Sequence, residues 1–251
     1  MKDNKYLLRF LMQWADNSLI IGHRLGEWCG HGPVLEQDIA LTNIALDLIG
    51  EARHVYQYAA EIEGDKDENY YPYKRLEREF RNVKLVELPN KDFAYTIVRQ
   101  FLFDTFHYYF LQSLAVNSDP NIAAVATRSL KETAYHLDFS SDWMVRLGDG
   151  TEISHQKIQK ACEDYWPYGE EFFMPIVENG EELEYLFGID LKSLKEIVIH
   201  HRNDIINKAT LALPKIEYFY SGGKEGLHTE HLGYILSDMQ YLVRTYPDAK
   251  W

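Results

Sequence analysis

The stretch IVRQFLFDTFHYYFLQSLAV, residues 97–116, is apolar on nearly every side of the helix it would form. A bundle helix normally keeps one wet face, and a helix apolar all round is covered all round. Any fold of this chain must therefore wrap this segment. The covering can come from helices later in the chain or from a second protein chain, and the sequence leaves both open.

The rest of the chain reads as helix by its period. Residues 5–29 place Leu7, Leu8, Leu11, Trp14, Leu19 and Ile21 mostly three and four apart. GHGP (30–33) breaks the pattern, and a second helix is expected over 35–63. EGDKDENYYP reads as a polar connector, with YKRLEREFRN as a short helix within it. The third helix runs over 92–116. Asp119–Pro120 then pairs an N-cap acid with proline at the first helical position, opening a fourth that ends near Leu147. Further helices are expected over 154–172, 189–212 and 227–245, with no strand pairs. The predicted class is all-α: a single ferritin-like domain over 1–251, with a four-helix core at 5–147 and added C-terminal helices at 154–246.

Hydrophobic residues at 46% provide for a substantial core in 251 residues. The formal net charge of −13 disfavours nucleic acid and anionic lipid, both of which need clustered Lys and Arg. Two distant cysteines, Cys29 and Cys162, make neither a disulfide framework nor a zinc cluster. With no signal-peptide pattern and no apolar run of about 18 residues, the expectation is a cytoplasmic chain without a membrane span.

Glu51 and His54, three apart on the second helix, share a face. Carboxylate-bridged di-iron bundles use a carboxylate from each of two helices and an E-x-x-H from each of the other two. Reflecting the third and fourth helices through a turn near 118 sets Asp104 level with Glu132. Reflecting the first two near 33 makes Asp16 the nearest carboxylate to Glu51. Four helices thus each offer an acid at matching depth. In KETAYH, however, Tyr135 stands three after Glu132 where histidine is required, and His136 falls at i+4. Two readings follow: a working iron pair on Asp16, Glu51, His54, Asp104, Glu132 and His136, or a metal-free buried network neutralised by Arg53 or Lys131. The displaced nitrogen favours the second.

Four segments carry a family resemblance: ADNSLIIGHRLGEWCGHGPVLEQDIALTNIALDLIGEARH, LVELPNKDFAYTIVRQFLFDTFHYYF, SLKETAYHLDFSSDWMVRLGDGT and GGKEGLHTEHLGYILSDMQYLVRTYPDAKW. In these the chain resembles, essentially end to end, the C-subunit family of the bacterial phenylacetyl-CoA epoxidases (ring 1,2-monooxygenases). The resemblance implies a ferritin-like scaffold subunit in aerobic phenylacetate catabolism with an incomplete ligand set. It implies no catalytic residue, cofactor or metal in this chain. The di-iron centre belongs to a partner subunit of the same fold, fed with electrons by a separate reductase. Family members often carry non-ligating residues at positions equivalent to Glu51 and His54, so this chain departs from the pattern there. The contrasting classes are a di-iron oxygenase or oxidase in its own right and an iron-storage relative.

Other motifs carry less. SGGKEG (221–226) lacks phosphate-loop spacing and reads as a turn into the last helix. His228, Glu230 and His231 read as a hydrogen-bonded helix start, with Thr229 or His228 at the cap. The histidines of IHHRND (199–204) point to different faces.

Overall fold

A computed structural model describes residues 2–249 of the chain. The described residues form helices α1 (Lys2–Gly26), α2 (Leu35–Glu63), α3 (Tyr70–Lys74), α4 (Phe93–Leu114), α5 (Pro120–Gly148), α6 (Glu152–Tyr165), α7 (Leu183–Leu186), α8 (Leu191–Lys208) and α9 (Glu230–Thr245). The class is all-α, as expected, and long hairpins such as α1–α2 and α4–α5 are the parts from which ferritin-like bundles are built. The chain divides into two compact units. One comprises the residues up to Pro89 and those from Gly222 onward; the other is Asn90–Ser221.

In the first unit α1 packs along α2. Their approach is close at Gly22, where a Cβ would lie 2.9 Å from Ile49 and 3.2 Å from the Ala45 carbonyl. Phe10, Leu11, Trp14, Ile21, Leu41, Ile44 and Leu48 fill the seam. The connector after α2 is not one helix. It forms α3 and 3₁₀ turns at Glu77–Glu79 and Lys84–Glu87, and α9 packs on α3.

The connector is fastened by a fully buried carboxylate. Glu87 accepts from Asn82 Nδ2 at 2.8 Å, His228 Nδ1 at 2.6 Å, and the backbone N–H and hydroxyl of Thr229 at 2.7 and 2.6 Å. Arg24 donates twice to the Glu87 carbonyl. The expected helix-start network is thus present, with Thr229 as N-cap of α9, but its centre is Glu87.

The second unit is built around α4. Its Asp92 cap accepts from the Tyr95 N–H, and the Asp119 cap of α5 accepts from the N–H groups of Asn121 and Ile122. Most of α4 is buried. Helices α5, α6 and α8 pack on it within the unit, and Phe172 stacks on Phe106 at 4.5 Å between centroids. Later helices of the same chain therefore supply a covering for the apolar stretch. Arg202 of α8 is buried against α4, donating to the Thr105 hydroxyl and the Leu102 carbonyl, and burial lowers its pKa. At Gly148 a Cβ would lie 2.2 Å from the Ala209 carbonyl, so the end of α5 meets the end of α8 only with glycine there.

The expectation of no strand pairs fails. Val177–Glu178 pairs antiparallel with Glu181–Glu182. Asn179 and Gly180 turn this small hairpin at φ 53° and 84°, the left-handed conformation that an Asn-Gly pair favours.

Glu87→Ala strands four buried donors. It is expected to cost about 3–5 kcal/mol in urea unfolding, whereas Glu87→Gln, which keeps an acceptor, costs less.

Candidate functional site

Within each unit the candidate residues are held by donors of that unit. Asp16, on α1, is fully buried. Arg75 from the connector makes a two-nitrogen ion pair with it, the Tyr56 hydroxyl donates at 2.5 Å, and the Arg81 backbone N–H donates at 2.7 Å. Arg75 also donates to the carbonyls of Tyr71 and Glu79 and lies over the Phe80 ring at 4.2 Å. Burial, then the Asp16 charge, raise the Tyr56 phenol well above its ordinary range, so it stays a donor.

Glu51 is buried on α2, and its Oε1 accepts from Trp14 Nε1 at 2.9 Å and the Ser18 hydroxyl at 2.6 Å. At about 100° per residue, Trp14 and Ser18 share a face of α1, and Asp16 lies roughly 160–200° round from them. Asp16 and Glu51 are therefore at similar depth but not together. Mirroring the helices matched their heights and ignored their azimuth. His54 is half-buried, its Nδ1 hydrogen-bonded to the Gly50 carbonyl at 2.6 Å.

In the second unit Asp104 accepts from Gln100 Nε2 at 2.6 Å and the Ser140 hydroxyl at 2.8 Å, with His136 and His107 adding favourable charge. Asp104 thus engages the part of α5 about one to two turns beyond Glu132. Glu132 is only half-buried. Tyr135, where a ligand histidine would stand, is 52% exposed, while His136 is buried. Desolvation pushes the Asp104 carboxyl from 3.8 up to about 6, against the pull of His136, Ser140 and Gln100.

Neither proposed counter-ion serves these acids. Arg53 is exposed and pairs with Glu68 at 3.3 Å, and Lys131 is exposed. Arg75 holds the role for Asp16. Nothing in sequence singled it out, because YKRLEREFRN reads only as a short helix within a polar connector.

An iron pair needs carboxylate oxygens turned to a common point and a histidine from each of two helices. Asp16 cannot meet this without displacing Arg75. Among the described residues no group of three or more His, Cys, Asp or Glu is placed to hold a metal ion. As arranged, Asp16 is committed to Arg75 and is not open to a metal. The described residues also contain no helix long and apolar enough to cross a membrane.

A chain with these helical hairpins and this acid-rich interior has close counterparts among known proteins. The family model for phenylacetic acid catabolic proteins matches residues 1–251. The C subunit of the 1,2-phenylacetyl-CoA epoxidase of Escherichia coli (strain K12) is 42% identical over 250 residues, covering 98% of this chain and 99% of that one. The chain belongs to the phenylacetic acid catabolic protein family.

Two outcomes are expected. Arg75→Met leaves the Asp16 carboxylate buried without its cation and costs about 3–5 kcal/mol; adding Asp16→Asn recovers part of this in a double-mutant cycle. Asp104 favours its protonated form in the folded state, so its contribution to stability is full below pH 3.8 and is lost as pH rises through about 6. Asp104→Asn removes that loss. Between pH 4 and 7 the parent should therefore lose stability relative to the variant, by at most on the order of 3 kcal/mol. Urea midpoints across that range measure the difference.

Proposed function

We propose that this chain is a structural, non-catalytic subunit of a phenylacetyl-CoA 1,2-epoxidase, working in phenylacetate catabolism in the cytoplasm. Its role is to steady a di-iron catalytic subunit of the same fold, within a complex that also includes a reductase. The end-to-end likeness to the C subunit of an epoxidase carries the assignment to such a complex. The Asp16–Arg75 ion pair, with Tyr135 in the place of a ligand, supports the non-catalytic part. In this reading the chain holds no metal or cofactor. Its acids stabilise the interior through protein donors, and the oxygen chemistry belongs to the partner.

One observation favours a second reading, a chain that binds its own iron. The Glu51–His54 pair is retained, and the Nδ1 bond to Gly50 fixes the His54 ring as outer-shell bonds do for metal-bound histidines.

Metal analysis separates the two. The chain produced alone in iron-rich medium is expected to hold far less than one iron per chain, and the complex is expected to lose its catalytic subunit's stability without it. Glu51→Gln with His54→Ala should leave the complex's epoxidation rate within about twofold of the parent. Two irons per isolated chain, lost in that variant, would establish the second reading instead.

A further inference from the structure

The small hairpin at Val177–Glu182 carries a reactive pair of residues at its tip. Asn179 is the one asparagine in the chain that a glycine follows. Asn179 and Gly180 are both exposed, with φ of 53° and 84°. Left-handed φ at both central positions of a two-residue turn is what an Asn-Gly pair supplies best. The same pair is the one best suited to ring closure. The side-chain amide carbon of an asparagine is the right number of bonds from the next backbone nitrogen to close a five-membered ring. Here that nitrogen belongs to glycine, which has no Cβ to hinder its approach. A Cβ built at Gly180 would meet nothing within 4 Å, so the surroundings do not obstruct it either.

The ladder that frames the turn is short. It sets Val177 against Glu182 and Glu178 against Glu181. A two-stranded ribbon of this length is marginal and opens locally at small cost. The firm anchor lies below it. The Leu183 N–H donates to the Ile176 carbonyl at 2.8 Å, the Ile176 N–H donates to Glu184 Oε2 at 2.9 Å, and Ile176 and Leu183 are buried. The tip can therefore open for ring closure while the base stays shut.

We propose that Asn179 is a site of spontaneous deamidation, and that the change unzips the hairpin tip without disturbing its buried base. The Gly180 nitrogen attacks Asn179 Cγ. An N–Cγ bond forms, the Cγ–Nδ2 bond breaks, and ammonia leaves with the Gly180 amide proton. Water then opens the cyclic imide. Attack at Cγ gives aspartate; attack at the backbone carbonyl carbon gives isoaspartate, in which the chain runs through Cβ and Cγ. Nothing is oxidised or reduced. Both products place a new carboxylate beside the exposed Glu181 and Glu182. Isoaspartate also lengthens the turn by a backbone carbon, so Glu178 and Glu181 no longer meet in register. The inference does not depend on the subunit reading above.

The test ages the purified full chain for days in warm, mildly alkaline buffer and maps its peptides by mass. Asn179 is expected to gain about one mass unit, the difference between an amide and an acid, well before any other asparagine does. Gly180→Ala should slow that gain at least about tenfold, because its Cβ shields the attacking nitrogen. Alanine is strained at a left-handed position and loosens the turn, so a slower reaction cannot come from a tighter hairpin. In the aged parent, hydrogen exchange at the Glu181 amide is expected to rise severalfold while the Leu183 amide keeps its protection. Asn179→Gln, whose longer side chain cannot close the five-membered ring, should show neither change. An Asn179 that ages no faster than the other asparagines, or equally fast in the Gly180→Ala variant, overturns the ring closure. Unchanged exchange at Glu181, or lost protection at Leu183, overturns the confined unzipping.

Discussion

An ionised carboxylate held away from water needs a cation or several donors close by, and Asp16 has both. Arg75 reaches it from the connector, more than fifty positions along the chain, while Tyr56 and the Arg81 backbone complete its shell. Arg75 also bonds the Tyr71 and Glu79 carbonyls, so the connector's irregular path is fixed by the group that neutralises the helix. The acid, the connector and the packing of α1 against α2 are therefore set together. Glu87 repeats the device with neutral donors and histidine, tying the connector to the start of α9.

The same principle describes how each of these acids is engaged within its own unit. A metal-binding carboxylate keeps oxygens directed at an open point, and its neighbours hold it there without consuming it. Asp16 is consumed by an arginine, Glu51 Oε1 receives an indole and a hydroxyl, and Asp104 receives an amide and a hydroxyl.

Much of the architecture was legible because it is written in period and punctuation. The helix behind Asp119–Pro120 starts where its cap predicts, and residues 97–116 are covered by α5, α6 and α8. The matching depth of Asp16 and Glu51 was legible, but their directions were not. Reflection through a turn gives height along a helix and not azimuth, so it matched Asp16 to Glu51 although they leave different faces of α1. The register of α4 on α5 also depends on the length of the turn between them, which a nominal pivot does not give. Arg75 and Glu87 were hidden because a buried charge in a connector has no periodic signature. The hairpin at Asn179–Gly180 was readable from its turn pair but lay in a stretch too short for strand alternation.

The make-up of the first unit bears on how the chain is assembled during synthesis. Its helices α1 and α2 emerge early, but Glu87 waits for His228 and Thr229, and α3 waits for α9. The stretch Asn90–Ser221 has all of its own long helices before those residues leave the ribosome. A nascent chain halted near Ser221 thus holds every long helix of the second unit while the first lacks its closing segment. Premature termination late in the message would leave the Glu87 carboxylate without its histidine, and such products are natural targets for quality-control proteases.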